Sequence, residues 1–233
     1  EMGASKPGDI EEVAKLVTPD VALITNVAAA HLRGLGTLEG VARVKGEILN
    51  YLQASGTAVL EYDSQWLSQW KKQLDGKQHL MTFSTTNAAA DFYASELLYQ
   101  HQSNGTVSFL AMTPFGEMAI QLPIPGKHNV KNALAAMAAA MAVGASLSDC
   151  QKGLAMVTPV NGRLQMLEGI KGSRIIDDCY NANPQSMQAA IELLSEYSGK
   201  KILVMGDMAE LGDEAIAAHL QAGKQAKELG IDN

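Results

Sequence analysis

Strand-like and helix-like runs alternate along most of this chain, and that alternation restricts the fold more than any other feature. Val21 to Val27, "VALITNV", is short, rich in β-branched residues and continuously apolar, as a strand buried on both faces must be. Thr37 then stands where a hydroxyl caps a helix, which the spacing predicts to run to about Gln53. "TAVLEY" reads as the next strand and Ser64 to Leu74 as the next helix. A strand, a crossover helix and another strand in that order call for a parallel sheet.

From about Leu80 to Leu122 the rhythm changes to consecutive short strands, "MTFS", "DFYASELLY", "TVSFLAMT" and "EMAIQL". Asn104-Gly105 and the stretch Pro114 to Gly116 supply turn chemistry between them, which predicts an antiparallel flap on the parallel core. An Ala-rich helix from His128 to Val143 and a second from about Ser148 to Val157 follow. Thr158 to Arg163, "TPVNGR", has the composition of a hinge. Beyond it the order strand, helix, strand is expected to resume. Strands are predicted near Arg163 to Ile170, Arg174 to Asp178 and in "KILVMGD", with helices from Pro184 to about Tyr197 and from about Asp213 to Leu229. The expected organisation is a central domain over 1–160 and a second, incomplete α/β domain over 161–233. "EMGA" at the start reads as the tail of a strand, so the chain is expected to begin inside a domain.

Composition excludes several functions. A net charge of −7 argues against broad nucleic-acid binding and leaves room only for a small, specific anion pocket. The longest apolar run, Ala133 to Ala145, is shorter than the roughly 20 residues that span a bilayer, so no membrane insertion is expected. Cys150 and Cys179 read as free thiols in a reducing compartment, the cytoplasm, rather than as a disulfide.

Several residues stand where chemistry is done. In the helix after Thr37 the apolar stripe Leu38, Val41, Ile48 and Leu52 has Lys45 in its middle. Two readings stay open: a snorkelling side chain, or a lysine that points into a phosphate site or is chemically modified to a ligand. His31 follows a strand by four residues, at the end where open α/β sheets bind ligands, and is either an idle loop residue or a contact to metal or phosphate. Glu1, at another such end, could offer Mg²⁺ a hard oxygen. "PGKHNVKNALAA" sets His128, Asn129 and Asn132 in the first turn of a helix, where they suit an adenine edge or an anion, although capping explains Asn129 about as well. In "IIDDCYNANPQSM", Asp177 and Asp178 point to opposite faces of a strand, so one carboxylate is expected to enter the site and accept from ribose hydroxyls. Asn181 and Asn183 shape the turn, and Pro184 opens the next helix.

The segments "EMGASKPGDI", "ITNVAAAHLRGLGTLEGVARVKGEI", "PIPGKHNVKNALAAMAAA", "NGR", "DDCYNANPQSM" and "VMGDMAELG" resemble, in this order, those of the Mur ligases, ATP-dependent enzymes of peptidoglycan precursor synthesis. The resemblance covers nearly the whole chain. It implies a mostly parallel central sheet with helices and an antiparallel flap, followed by a partial Rossmann-like domain. It also implies that Glu1 and His31 are associated with magnesium, and that Lys45 is a catalytic lysine carried as a carbamate near the metal, with His31 beside it. Asn129 and Asn132, with His128 next to them, match adenine-contacting positions. Arg163 matches a linker arginine near the phosphates and Asp178 the carboxylate that holds the ribose. Tyr180, Asn181 and Asn183 match the loop that faces ATP and the acceptor. "YNANP" with "GDMAELG" is most similar to the branch that joins D-alanyl-D-alanine to a UDP-N-acetylmuramoyl tripeptide, with ATP and Mg²⁺. Such an enzyme is expected to be monomeric. Another Mur ligase or a folylpolyglutamate synthase would share the cleft, and a fragment could also bind nucleotide without catalysis. One departure is plain: no G-K-S or G-K-T occurs in the 233 residues, so this chain alone is expected to be catalytically incomplete.

Overall fold

The computed structural model describes residues 1–29, 31–100 and 105–231. It opens on α1 (Asp9–Val17), followed by β1 (Val21–Ile24), a single turn α2 (Leu32–Leu35) and α3 (Leu38–Gly46). Thr37 caps α3, its hydroxyl accepting from the Gly40 amide at 3.2 Å. The predicted helix does not run on unchanged to Gln53: past Gly46 it tightens into a 3₁₀ turn over Glu47–Tyr51. Next come β2 (Thr57–Glu61), α4 (Leu67–Lys71) and β3 (His79–Ser84), then β4 (Phe92–Gln100), β5 (Thr106–Thr113) and β6 (Gly116–Leu122).

These six strands form one sheet in the order β1-β2-β3-β4-β5-β6. The pairs β1/β2, β2/β3 and β3/β4 are parallel, and β4/β5 and β5/β6 antiparallel. The flap is therefore three strands, and "MTFS" belongs to the parallel core rather than to the flap. The chain returns from β3 to start β4 in the same direction through a loop pinned by Asp91, whose Oδ2 accepts from the amide and hydroxyl of Thr82 at 2.8 and 2.7 Å. Pro114 and Phe115 form the β5/β6 turn as expected; Asn104 lies outside the described residues.

Alternation along β2 explains its unbroken apolar run. Val59 joins a core with Phe83, Phe92 and the helix α5 (Lys127–Ala142), while Ala58 and Leu60 join a second core with Ala42, Leu49 and Trp70 on the other face. A strand covered on both sides has no face to give to water. α6 (Leu147–Ala155) then packs against β6 and α5.

In the last third, β7 (Gln165–Glu168) and β8 (Arg174–Asp177) are an antiparallel hairpin, not the parallel pair of a resumed crossover. Only a 3₁₀ turn, Ile170–Gly172, separates them, too short a connection for parallel strands. α7 (Pro184–Ser195) and α8 (Ala215–Glu228) follow. Between them "KILVMGD" forms no strand ladder among the described residues. Leu203 and Met205 pack against Ile191 and Met208, while Ile202 and Val204 point outward, 56% and 91% exposed. The segment is extended and alternating, but it has a neighbour on one face only. No helix is long and apolar enough to cross a membrane among the described residues.

Candidate functional site

The carboxyl ends of β1 and β3, the start of α5 and the segment after β8 converge on a cleft of about 680 Å³. Asn26, two residues past β1, and Lys45 on α3 form one end of it. Lys45 does not reach out to solvent: it is half-buried, and its ammonium donates to the Asn26 carbonyl at 2.8 Å. Among the described residues no carboxylate stands within ion-pair distance, and burial lowers its pKa. The apolar stripe around it is narrower than the spacing predicts, since Leu38 is exposed and Val44 takes its place in the core.

The start of α5 forms the floor. Gly126 occupies the N-cap position with φ 98° and no capping side chain; the Asn129 amide donates to the Gly126 carbonyl at 3.0 Å, and the Lys127 and His128 amides have no side-chain cap. A Cβ there would stand 2.7 Å from the His128 ring, so the backbone approaches the imidazole as closely as it does only because residue 126 is glycine. His128 has its pKa lowered, first by burial and then by Lys131, while Asp178 opposes the shift. Asn129 does not cap the helix: its Nδ2 donates to the Pro125 carbonyl at 2.6 Å. Because α5 starts at Lys127, Asn132 falls in the second turn, and its Nδ2 is 3.5 Å from Asn129 Oδ1.

Asp178 lines the facing wall and Asp177 does not. Asp178 Oδ1 accepts from the Leu164 amide at 3.1 Å, which leaves Oδ2 toward the cleft; Asp177 Oδ1 accepts from the Cys179 amide at 3.2 Å. Asn183 is the N-cap of α7, in a capping box with Ser186, so its carbonyl oxygen already serves the helix. Asn181 and Arg163 also line the cleft. Tyr180 lies beside it, its ring 4.3 Å from the Arg163 guanidinium carbon.

Two cations in the cleft escaped the sequence reading. Lys127 and Lys131 stand one turn apart on α5, and Lys131 pairs with Glu61 at the end of β2 at 2.7 Å, both half-buried. The i, i+4 spacing of Lys127 and Lys131, each directly before His128 or Asn132, was the available signal. Lys127 reaches across to Glu196 at 3.4 Å, linking the start of α5 to the end of α7.

Lys45, His128, Asn129, Asn132, Arg163, Asp178, Asn181 and Asn183 thus share one cavity. Glu1 and His31 do not line it. Glu1 is exposed, and His31 pairs its Nδ1 with Glu210 Oε2 at 2.5 Å, on the loop before α8. Among the described residues no three His, Cys, Asp or Glu side chains form a group that could hold a metal ion. His31 is paired with Glu210, Lys45 with the Asn26 carbonyl, and Glu1 is exposed outside the cleft, so the three do not fit a common magnesium site. A nucleotide does fit. Donors at a helix start, amide side chains, a carboxylate oxygen and four cations suit a base, a ribose and a phosphate chain.

Residues 1–140 match the Mur ligase middle domain family, and residues 162–233 match the Mur ligase glutamate ligase domain. Curated relatives named UDP-N-acetylmuramoyl-tripeptide--D-alanyl-D-alanine ligase include those of Escherichia coli, 43% identical over 100% of this chain and 50% of the relative, and Bacillus subtilis, 37% identical over 100% and 49%. Among solved structures, MurF from Acinetobacter baumannii superposes with a TM-score of 0.91 at 36% identity, covering 99% of this chain and 49% of that one. MurF from Thermotoga maritima in complex with ADP does so at 0.84 and 29% identity, over 97% and 50%. The chain spans about half the length of the curated relatives it matches.

Proposed function

Because this chain belongs to the Mur ligase family, we propose that it supplies the nucleotide cleft of an ATP-dependent ligase that joins D-alanyl-D-alanine to UDP-N-acetylmuramoyl-tripeptide. The observation that carries the proposal is the convergence of Asn132, Arg163, Lys131 and Asp178 on one cavity at the carboxyl ends of a parallel sheet. Asn129 and Asn132, with His128, take the adenine; the free oxygen of Asp178 accepts from the ribose; Arg163 faces the phosphates. Asn181 and Asn183 hold the loop that closes over the acceptor. The organisation that goes with this is a central ATP-binding domain over 1–160 and a C-terminal domain over 161–233.

In the proposed reaction the terminal carboxylate of the tripeptide takes the γ-phosphoryl group of ATP. The amine of D-alanyl-D-alanine attacks the acyl phosphate, an amide forms, and inorganic phosphate leaves. The chain's own residues contribute orientation and charge. Arg163 and Lys131 offset the growing negative charge of the transferring group, and the walls of the cleft exclude water that would otherwise hydrolyse the intermediate. Lys45, at the other end of the cleft, is either a direct phosphate contact or a carbamate. No step is assigned to magnesium.

The test is calorimetric titration of ATP. Asp178→Asn keeps the acceptor for Leu164 but removes the charge facing the ribose, and should weaken ATP by roughly 1.5–3 kcal/mol. Asp177→Asn should change it little. Equal losses, with both variants melting like the parent, would reject the assignment. The acceptor is tested on the form extended upstream of Glu1, by comparing D-alanyl-D-alanine with single amino acids as amines.

A further inference from the structure

Three consecutive residues, Gly162 to Leu164, at the end of the predicted hinge are fastened to the segment after β8. The Tyr180 amide donates to the Gly162 carbonyl at 3.0 Å, and the Leu164 amide donates to Asp178 Oδ1 at 3.1 Å. Between these two bonds the Arg163 guanidinium lies over the Tyr180 ring, its carbon 4.3 Å from the centroid. Gly162 makes the approach possible: it has φ 70°, and a Cβ there would stand 3.1 Å from the Tyr180 nitrogen and 3.3 Å from its Cβ. Tyr180 is 66% exposed, so packing into a core does not account for its place.

The geometry of the contact matters for what Arg163 can do. A guanidinium carries its five N–H donors in its own plane, and a ring on its face uses none of them. Among the described residues no carboxylate or carbonyl accepts from the Arg163 side chain. The side chain is thus restrained by its face while every donor stays free beside the cleft. An ion pair would restrain it too, but would occupy donors that an anion needs.

We propose that Tyr180 is the positioning residue for Arg163: its ring is a shelf that holds the guanidinium ready for the phosphate chain of a nucleotide. This differs from a role in touching the acceptor. It rests on the nucleotide reading of the cleft, and it depends on the ring and not on the hydroxyl.

The test uses Tyr180→Phe and Tyr180→Leu. In nuclear magnetic resonance spectra the Arg163 Hδ and Hε protons of the parent and of Tyr180→Phe should be shifted upfield by the ring, and Tyr180→Leu should lose that shift. In calorimetry Tyr180→Leu should weaken ATP about two- to fivefold, the scale of an exposed cation–ring contact. Adenosine, which has no phosphates, should bind both alike, Tyr180→Phe should match the parent, and in an Arg163→Gln background Tyr180→Leu should cost nothing more. Unchanged ATP affinity in Tyr180→Leu, or an equal loss for adenosine, would overturn the proposal while leaving the nucleotide reading intact. No ATP binding by the parent would overturn both.

Discussion

At the scale of single residues, Lys45 is the clearest conflict between stability and use. A half-buried ammonium with one carbonyl partner and no counter-ion loses solvation that nothing nearby restores, which is why its pKa falls. Lys45→Met keeps the helix-forming side chain and removes the charge, so it should stabilise the chain by on the order of 1 kcal/mol, read as a higher midpoint in urea. A lower midpoint would mean that the bond to Asn26 fixes the β1 loop and outweighs the desolvation. The sequence exposed this conflict because helical periodicity puts Lys45 among apolar neighbours. Strand alternation said that only one of Asp177 and Asp178 would enter the site, and the family resemblance pointed to Asp178, which lies just past the end of β8. What the sequence missed at this scale is pairing between distant segments: Glu61 with Lys131 and His31 with Glu210 join residues 70 and 179 positions apart, and no periodic pattern encodes them.

At the scale of elements, the helices were legible where caps mark them. Thr37 and Pro184 stand at the starts of α3 and α7 as the sequence indicates. The box at α7 is reciprocal: the Ser186 amide donates to Asn183 Oδ1 at 2.9 Å, and the Asn183 amide donates to Ser186 Oγ at 3.0 Å. Asn183→Ala should therefore cost about 1 kcal/mol, while Asn183→Asp, which keeps the acceptor, should cost much less. Thermal melting of the two variants checks this; equal losses would mean that the asparagine is held by something other than the cap. Strand direction was less legible than strand position. The runs of β3 and β4 are apolar and short whichever way they pair, and the parallel pairing depends on the Thr82–Asp91 connection. The "KILVMGD" segment shows the same limit from the other side. Its alternation is that of a strand, but a ladder needs a neighbouring backbone, and a single chain segment carries no record of one.

At the scale of the molecule, Lys127 with Glu196 and His31 with Glu210 link the six-stranded sheet and its helices to the last third of the chain. Exposed pairs of this kind contribute little to stability, and the backbone itself joins the same two parts through the connection between α6 and β7. Of that connection, residues 162–164 are already fastened to 178–180, and Val160 is held through its carbonyl by the Arg163 amide at 2.9 Å. Among the described residues Thr158, Pro159 and Asn161 show no such tie, and all three are exposed. The freedom of the connection therefore lies at these three residues, one of which has its φ fixed by a ring. Pro159→Gly should widen the distribution of distances between spin labels placed on α5 and α7, and should slow ligation in the extended form without lowering the melting temperature by more than about 1 kcal/mol equivalent. An unchanged distance distribution would put the pivot elsewhere. With the pivot upstream of the arginine, Arg163 belongs to the moving arm rather than to the frame. Each swing of the arm would then carry the cation as a passenger, so that the site is electrically complete only at one end of the stroke.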